Sequence, residues 1–267
     1  MIRNYLAAAT LLLAAACSKA PEDVTAHYSV ANGRGTITVK AAGNGDTRLD
    51  AGPQTFIRHG GTDYVVVTEG NDRFAATVPD FVSSMGELIR ESGGVPPQQA
   101  NEPEFEAVQE GEETIAGLKG AVWKVRPKPA AGAQSIDVVV SSDPAFAGVG
   151  KAIAMQARFG SAGMQQVAGR VPNIEKKLEE VLDKGMVLRF GDALKLDGVE
   201  KAPIAASEFA LPKVLDKAAL KKHLNEMRQR SMAEAEAMAN AAKKRAEEAP
   251  APAPGASPSP APKAPAN

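Results

Sequence analysis

The stretch Thr55-Phe-Ile-Arg-His59-Gly60-Gly61-Thr-Asp63-Tyr-Val-Val-Val-Thr68 decides the fold. Two runs rich in β-branched and aromatic residues flank a Gly-Gly pair, which is the pattern of a β-hairpin. Neither run alternates cleanly. Phe56 and Ile57 are adjacent, as are Val65, Val66 and Val67, so apolar side chains fall on both faces of the sheet. Ile136-Asp137-Val138-Val139-Val140 repeats that pattern, whereas residues 34–40 alternate, with Ile37 and Val39 on one face and Thr36, Thr38 and Lys40 on the other. A sheet with one wet face would alternate throughout, so the central strands are predicted to be covered on both sides.

Working outward, residues 28–78 read as a meander of short strands, with Gly60-Gly61 and residues 69–72 as turns. Asp80 can cap a helix to about residue 91, with Val82, Met85, Leu88 and Ile89 on one face and Gly93-Gly94 as its stop. Strand patterns resume at residues 105–109, 113–115, 118–126 and 135–142. Asp143-Pro144 is a helix start, followed by Phe146, Val149, Ile153 and Ala157 at helical spacing. Asn173 can cap another helix carrying Ile174, Leu178, Val181 and Leu182 to Gly185. Strands at residues 186–190, 194–196 and 204–211 complete a single α+β domain over residues 27–212. Helices at 80–91, 144–159 and 173–184 are expected to shield one face of its sheet.

Beyond Pro212 the composition changes. Residues 213–248 are rich in Ala, Lys, Glu, Met and Arg and predict a long charged helix, with Leu220, Leu224 and Met227 as an early apolar stripe. Residues 249–267 are dominated by Pro and Ala and read as a disordered tail.

The 31 basic and 32 acidic residues almost cancel, but residues 20–212 hold 19 basic against 26 acidic, and residues 213–267 hold 10 against 6. An acidic body of this kind argues against nucleic acid as a partner, and no aromatic residues punctuate the basic extension to stack bases. A single cysteine excludes a disulfide scaffold.

That cysteine, Cys17, follows Arg3 and an uncharged run from Leu6 to Ala16. Eleven residues rise about 16 Å as a helix, half of a bilayer core, which suits the apolar region of a signal peptide over residues 1–16 rather than a spanning helix. Leu13-Ala14-Ala15-Ala16-Cys17 resembles the lipobox of bacterial lipoproteins, although Ala14 stands where that pattern usually has Leu. The resemblance implies cleavage between Ala16 and Cys17, acylation of Cys17 (thioether-linked lipid plus a third chain such as palmitate), and a tether over residues 17–26. Two or three chains give stable anchoring, which one chain does not. Ser18 resembles the outer-membrane default of lipoprotein sorting, which implies a place on the periplasmic face of that membrane. Ala14-x-Ala16 also reads as an ordinary secretory cleavage site, which would release a soluble periplasmic protein.

No constellation for chemistry emerges. His27, His59 and His223 lie in separate elements without zinc spacing, and Gly160-Ser161-Ala162-Gly163 lacks the spacing of a nucleophile elbow. Asn32-Gly33-Arg34-Gly35 and Gly43-Asn44-Gly45 lack a phosphate-loop ending. The acidic pairs near Glu112 and Glu179 are local runs. No cofactor or metal is implied, and the chain reads as a non-enzyme.

Gly111-Glu-Glu-Thr-Ile115-Ala-Gly117-Leu-Lys-Gly-Ala-Val-Trp123-Lys-Val125 resembles a hairpin found in bacterial exported proteins, in which a Glu-Thr-Ile-x-Gly segment precedes an aromatic residue in the next strand. With the hairpin of residues 56–67 and the closing Phe209-x-Leu211-Pro212, it is similar to the lipoprotein carrier (LolA/LolB-like) superfamily over residues 27–212. The resemblance implies a curved antiparallel half-barrel with helices on its concave face, enclosing an apolar cavity. Gly120 and Ala121 depart from it, being smaller than usual. Candidate lining residues are Phe56, Tyr64, Val66, Val138, Val140 and Phe146.

The leading functional expectation is a lipid-anchored envelope protein whose half-barrel binds an apolar ligand such as an acyl chain, or a partner segment, without catalysis. The alternative is a structural or interaction lipoprotein that reaches an envelope protein or the cell wall through its C-terminal helix and Pro-rich tail. A hydrolase with a dispersed site is a third. On the lipoprotein reading, Cys17→Ser should move the protein from the membrane pellet to the soluble fraction; an unchanged distribution would remove the lipobox from the account.

Overall fold

The computed structural model describes residues 22–93, 103–128 and 135–248, apart from residues 32, 34, 53 and 71. The signal segment, Cys17 and the Pro-rich tail lie outside the described residues. The chain forms two compact units that divide after Lys221.

In the first unit, β1 (Val24–Val30), β2 (Gly35–Ala41), β3 (Thr47–Ala51), β4 (Gln54–His59), β5 (Thr62–Glu69) and β6 (Asp72–Thr77) form an antiparallel meander. After α1 (Val78–Glu91), a second meander follows, β7 (Glu104–Ile115), β8 (Leu118–Lys128) and β9 (Ile136–Ser141). Then come α2 (Ala147–Ala168), α3 (Asn173–Leu182), β10 (Met186–Phe190) and β11 (Leu194–Glu200). β10 pairs with β9 and β11 pairs with β1, so the two meanders fuse. β12 (Lys213–Val214) then pairs parallel to β6, and α4 (Lys217–Glu248) begins. The result is an open, curved sheet of twelve strands in the order β12-β6-β5-β4-β3-β2-β1-β11-β10-β9-β8-β7.

Several boundaries differ from the sequence reading. β3 was not foreseen, because Thr-Arg-Leu-Asp-Ala offers one large apolar residue. The two short segments expected at 105–115 are one strand with a bulge between Gln109 and Gly111. α1 is capped by the Thr77 hydroxyl, which accepts from Asp80 N at 3.2 Å, rather than by Asp80. Pro79 in the first turn explains the earlier start. α2 runs on past residue 159 to Ala168 and stops at Gly169, whose φ is +72°. Gly160 and Gly163, poor helix residues in isolation, face open space and are carried by the length of the helix. α3 has Pro172, not Asn173, at its N-cap. Residues 204–211 are not a sheet strand. They form an extended strap with a 3-10 turn at Ala206–Phe209, and the parallel β12 makes the sheet mixed rather than wholly antiparallel.

Both faces of the sheet are covered, by different means. In the register Leu49↔Phe56↔Val65↔Ala76, these side chains share the concave face with Val39 and Ala26. α1, α2 and α3 fill that face. Phe159 of α2 meets the Phe56 ring edge-on at 5.1 Å and lies 5.8 Å from Phe81 of α1. α2 comes close because its first turns are small: a Cβ on Gly150 would stand 2.5 Å from the Gly185 carbonyl oxygen. Tyr28, fully buried, donates its hydroxyl to Val187 O at 3.0 Å, beside a bulge in β10.

On the convex face, Ile57, Val66 and Ala75 close around Phe209 of the strap, with Ile204 and Leu211 packed beside them. Polar clamps fix the strap at both ends. Asp23 accepts from Ile204 N and Gly43 N, each at 2.8 Å. Lys40 pairs with Glu208 at 2.8 Å, and Arg48 donates to the Glu208 carbonyl at 3.0 Å while pairing with Asp50. Farther along, the convex face of β7–β10 carries ion pairs beside the buried Val139: Arg126–Glu106, Lys124–Glu110 and Arg189–Glu113.

The second unit is the remainder of α4. Met232 and Met238 are exposed on it. Among the described residues, no helix is long and apolar enough to cross a membrane.

Phe209→Ala should lower stability by about 3–5 kcal/mol in denaturant unfolding, the usual range for emptying a buried aromatic site; a loss below about 1 kcal/mol would mean that the strap is not part of the core. The clamps should also respond to acid. Backbone donors from Ile204 and Gly43 hold the Asp23 carboxyl below its ordinary range, and Lys40 does the same for Glu208. A depressed carboxyl contributes above its unfolded pKa and loses that contribution as pH falls through the folded value. Hydrogen exchange in residues 201–212 should therefore speed up, relative to the sheet, as pH drops below about 4 once intrinsic exchange is corrected for.

Candidate binding groove

The groove begins where strand pairing stops. β8 pairs with β9 only from Val125↔Ile136 to Ala121↔Val140, so Leu118 and Lys119 project past the end of β9 at Ser141. Pro144, which lacks an N–H, turns the chain out of the sheet, and the Asp143 carboxylate caps the new turn by accepting from Ala145 N at 2.9 Å. α3 ends at Leu182, leaving the concave face of β8 open at Trp123. These three terminations leave a solvent-open groove of about 830 Å³, with Trp123, Val140 and Lys184 among its walls.

Trp123 is the chain's single tryptophan and is half-buried, directly opposite Val138 in the register. The Lys184 ammonium stands 4.4 Å from its ring centroid. Such a cation–π contact is worth about 0.5–1 kcal/mol at an exposed site, weak enough for the lysine to swing aside. At the hairpin end, Lys119 and Glu112 pair at 2.6 Å.

Two more depressions adjoin this one. A pocket of about 310 Å³ shares Ser142, Asp143, Pro144 and Lys184 with the first groove. It in turn shares Pro144, Ala147, Lys151, Arg158 and Asp183 with a third, of about 730 Å³, which reaches the Gly43–Gly45 turn and Gly60-Gly61.

The structure divides the six residues expected to line a cavity. Phe56, Val138 and Val140 lie on the concave face, and Phe146 is buried at the start of α2 with Lys201 Nζ 5.5 Å from its ring centroid. Tyr64 and Val66 point to the convex face, Val66 against Phe209. Of the six, Val140 alone is among the groove-lining residues named above, while Phe56 is packed under Phe159. His59 at its hairpin tip is half-exposed, and its Nδ1 lies 2.9 Å from Asp46, whose carboxylate also accepts from Gly60 N. The same Asp46 receives Asn44 Nδ2 at 3.3 Å, so it staples two turns together. His27 sits near Glu200 at 3.7 Å. Among the described residues, no three His, Cys, Asp or Glu side chains gather where they could hold a metal ion. Lys151 and Lys184 were not singled out in the sequence; the turn Asp183-Lys184-Gly185 after a helix marks a place in the chain but not its nearness to Trp123.

Fold and groove define an α+β open half-barrel with a solvent-lined trough at the end of its helix cover. No protein family matches the sequence, and no curated protein matches it. Among solved structures, the chain is similar to MucB in complex with MucA(peri), at 12% identity and TM-score 0.31, over 74% of this chain and 58% of that one. The MucA/MucB complex of Pseudomonas aeruginosa gives 12%, 0.30, 72% and 56%, and MucB alone 13%, 0.28, 72% and 58%. The chain thus spans less than two thirds of the length of each.

Proposed function

We propose that the chain is a lipid-anchored envelope protein, held at the periplasmic face of the outer membrane through Cys17, whose half-barrel binds an extended partner segment without catalysis in the groove over Trp123. The observation that supports this reading is the kind of opening the concave face has. An acyl chain gains about 25 cal/mol per Å² only where it leaves water behind, which requires an enclosed apolar lining. The space beneath α1 and α2 is taken by Phe56, Phe81 and Phe159. What stays open is this groove, whose large aromatic floor residue stands among mixed walls (Leu118, Val140 and Pro144 beside Glu112, Lys119 and Asp143), and a solvent-open pocket of about 580 Å³ between Phe105, Ile136, Ile174 and Phe190; neither is enclosed. An extended segment suits the groove, because alternate side chains can seat on the floor while the others remain in water. Tryptophan is the residue most enriched among interface anchors, so Trp123 should carry much of the binding energy.

Because the protein has one tryptophan, its emission reports the groove directly. A short Leu-rich peptide should shift Trp123 emission saturably and palmitate should not. Trp123→Ala, followed by calorimetry, should weaken the peptide by about 2 kcal/mol. Saturable palmitate binding with no response to peptides would overturn the proposal.

A further inference from the structure

Building on the Trp123 groove as the working surface, we propose that its occupant is an acidic extended segment of a partner protein, and that Lys184 and Lys151 select it. The three depressions, together the trough, share walls and adjoin in a row from Trp123 past the Pro144 turn and along the first turns of α2 to the Gly43–Gly45 turn. A single small headgroup would fill the middle pocket of about 310 Å³; the trough on either side of it has room for a chain.

Five basic and five acidic residues line the trough as a whole, but the middle pocket has Lys151, Arg158 and Lys184 against only Asp143 and Asp183. Arg158 pairs with Asp183, Arg58 with Asp63 at 3.3 Å, Lys119 with Glu112 at 2.6 Å, and Glu22 with Lys201 at 3.0 Å. Asp46 is occupied by His59 and Gly60 N, and Asp143 by Ala145 N. Lys151 and Lys184 remain. Neither has a carboxylate partner among the described residues, and both border the middle pocket. The rest of the domain is acidic, with 26 acidic against 19 basic residues over positions 20–212. Two ammonium groups without a carboxylate partner on the border of one pocket, one of them held only by the Trp123 ring, mark the place in an acidic body where a partner's carboxylate gains most and a partner's cation is refused.

Trp123 supplies the second half of the recognition. A carboxylate drawing Lys184 toward the middle pocket would lift it from the Trp123 ring and bare an apolar face for the neighbouring side chain. In an extended chain, side chains two residues apart lie about 6.6 Å apart on one side, so a segment with an acidic residue at i and an apolar one at i+2 fits best. The specificity follows from charge and the anchoring from the aromatic floor.

The test uses the full chain and three short synthetic peptides with Ser at every second position and Leu alternating with Glu, Ser or Lys at the others, titrated against Trp123 emission. The Glu–Leu peptide should bind most tightly and weaken steeply with added salt. Lys151→Glu and Lys184→Glu should each weaken it by about tenfold, in the range for close interfacial charge pairs. The double reversal should then accept the Lys–Leu peptide that the unaltered protein refuses, a gain that misfolding cannot produce. If Ser–Leu binds as tightly as Glu–Leu and salt has no effect, the charge inference falls while the groove reading stands. If no peptide shifts the emission, both fall. If phosphatidylglycerol vesicles capture the protein, the peptides do not compete, and the same reversals abolish capture, the trough is a membrane-facing surface and the inference is overturned.

Discussion

A sheet with apolar side chains on both faces must be covered twice, and the architecture of this protein follows from that constraint. One cover is regular: α1, α2 and α3 lie in the concavity, and α2 reaches its depth because glycines at its start let it touch the turn before β10. The other is irregular. The strap after β11 crosses the convex face, places Phe209 among Ile57, Val66 and Ala75, and ends by adding β12 to the sheet edge. An extended segment does not satisfy its own backbone as a helix does, so its polar groups need partners from outside. Asp23, Lys40 and Arg48 supply them. Where the strap does not reach, the convex face of β7–β10 carries charged pairs around the buried Val139.

The groove is the place where this double cover ends. It needs no special element of its own. A register that stops pairing at Ala121, a proline that turns the chain out of the sheet, and a helix that ends at Leu182 together leave Trp123 half-exposed with a trough beside it. Strands β8 and β9 and the start of α2 supply part of its walls, so much of the ordering cost falls on the partner.

Much of this could be read from the residues. Adjacent Phe56-Ile57 and the Val65–Val67 triplet announced two buried faces, Gly60-Gly61 announced the hairpin, and Asp143-Pro144 the entry to α2. The covering strap could not be seen, because Ile204, Phe209 and Leu211 carry the same local pattern as a strand; only their distant partners make them a cover. For the same reason Tyr64 and Val66 could be known as apolar residues of a central strand but not assigned to a side, since the face depends on register with β4 and β6. The groove is harder still. It rests on where β8 and β9 stop pairing and on a turn some sixty residues later bringing Lys184 over Trp123, and neither leaves a local trace.

The central claim is that the trough, rather than the strap or the C-terminal helix, is the surface that meets a partner. Hydrogen–deuterium exchange of the full chain, with and without saturating Glu–Leu peptide, tests it most directly. The account predicts slower exchange at residues 118–123, 141–151 and 183–185 and no change at 201–212 or 222–248. Protection confined to the strap or to the C-terminal helix would contradict it.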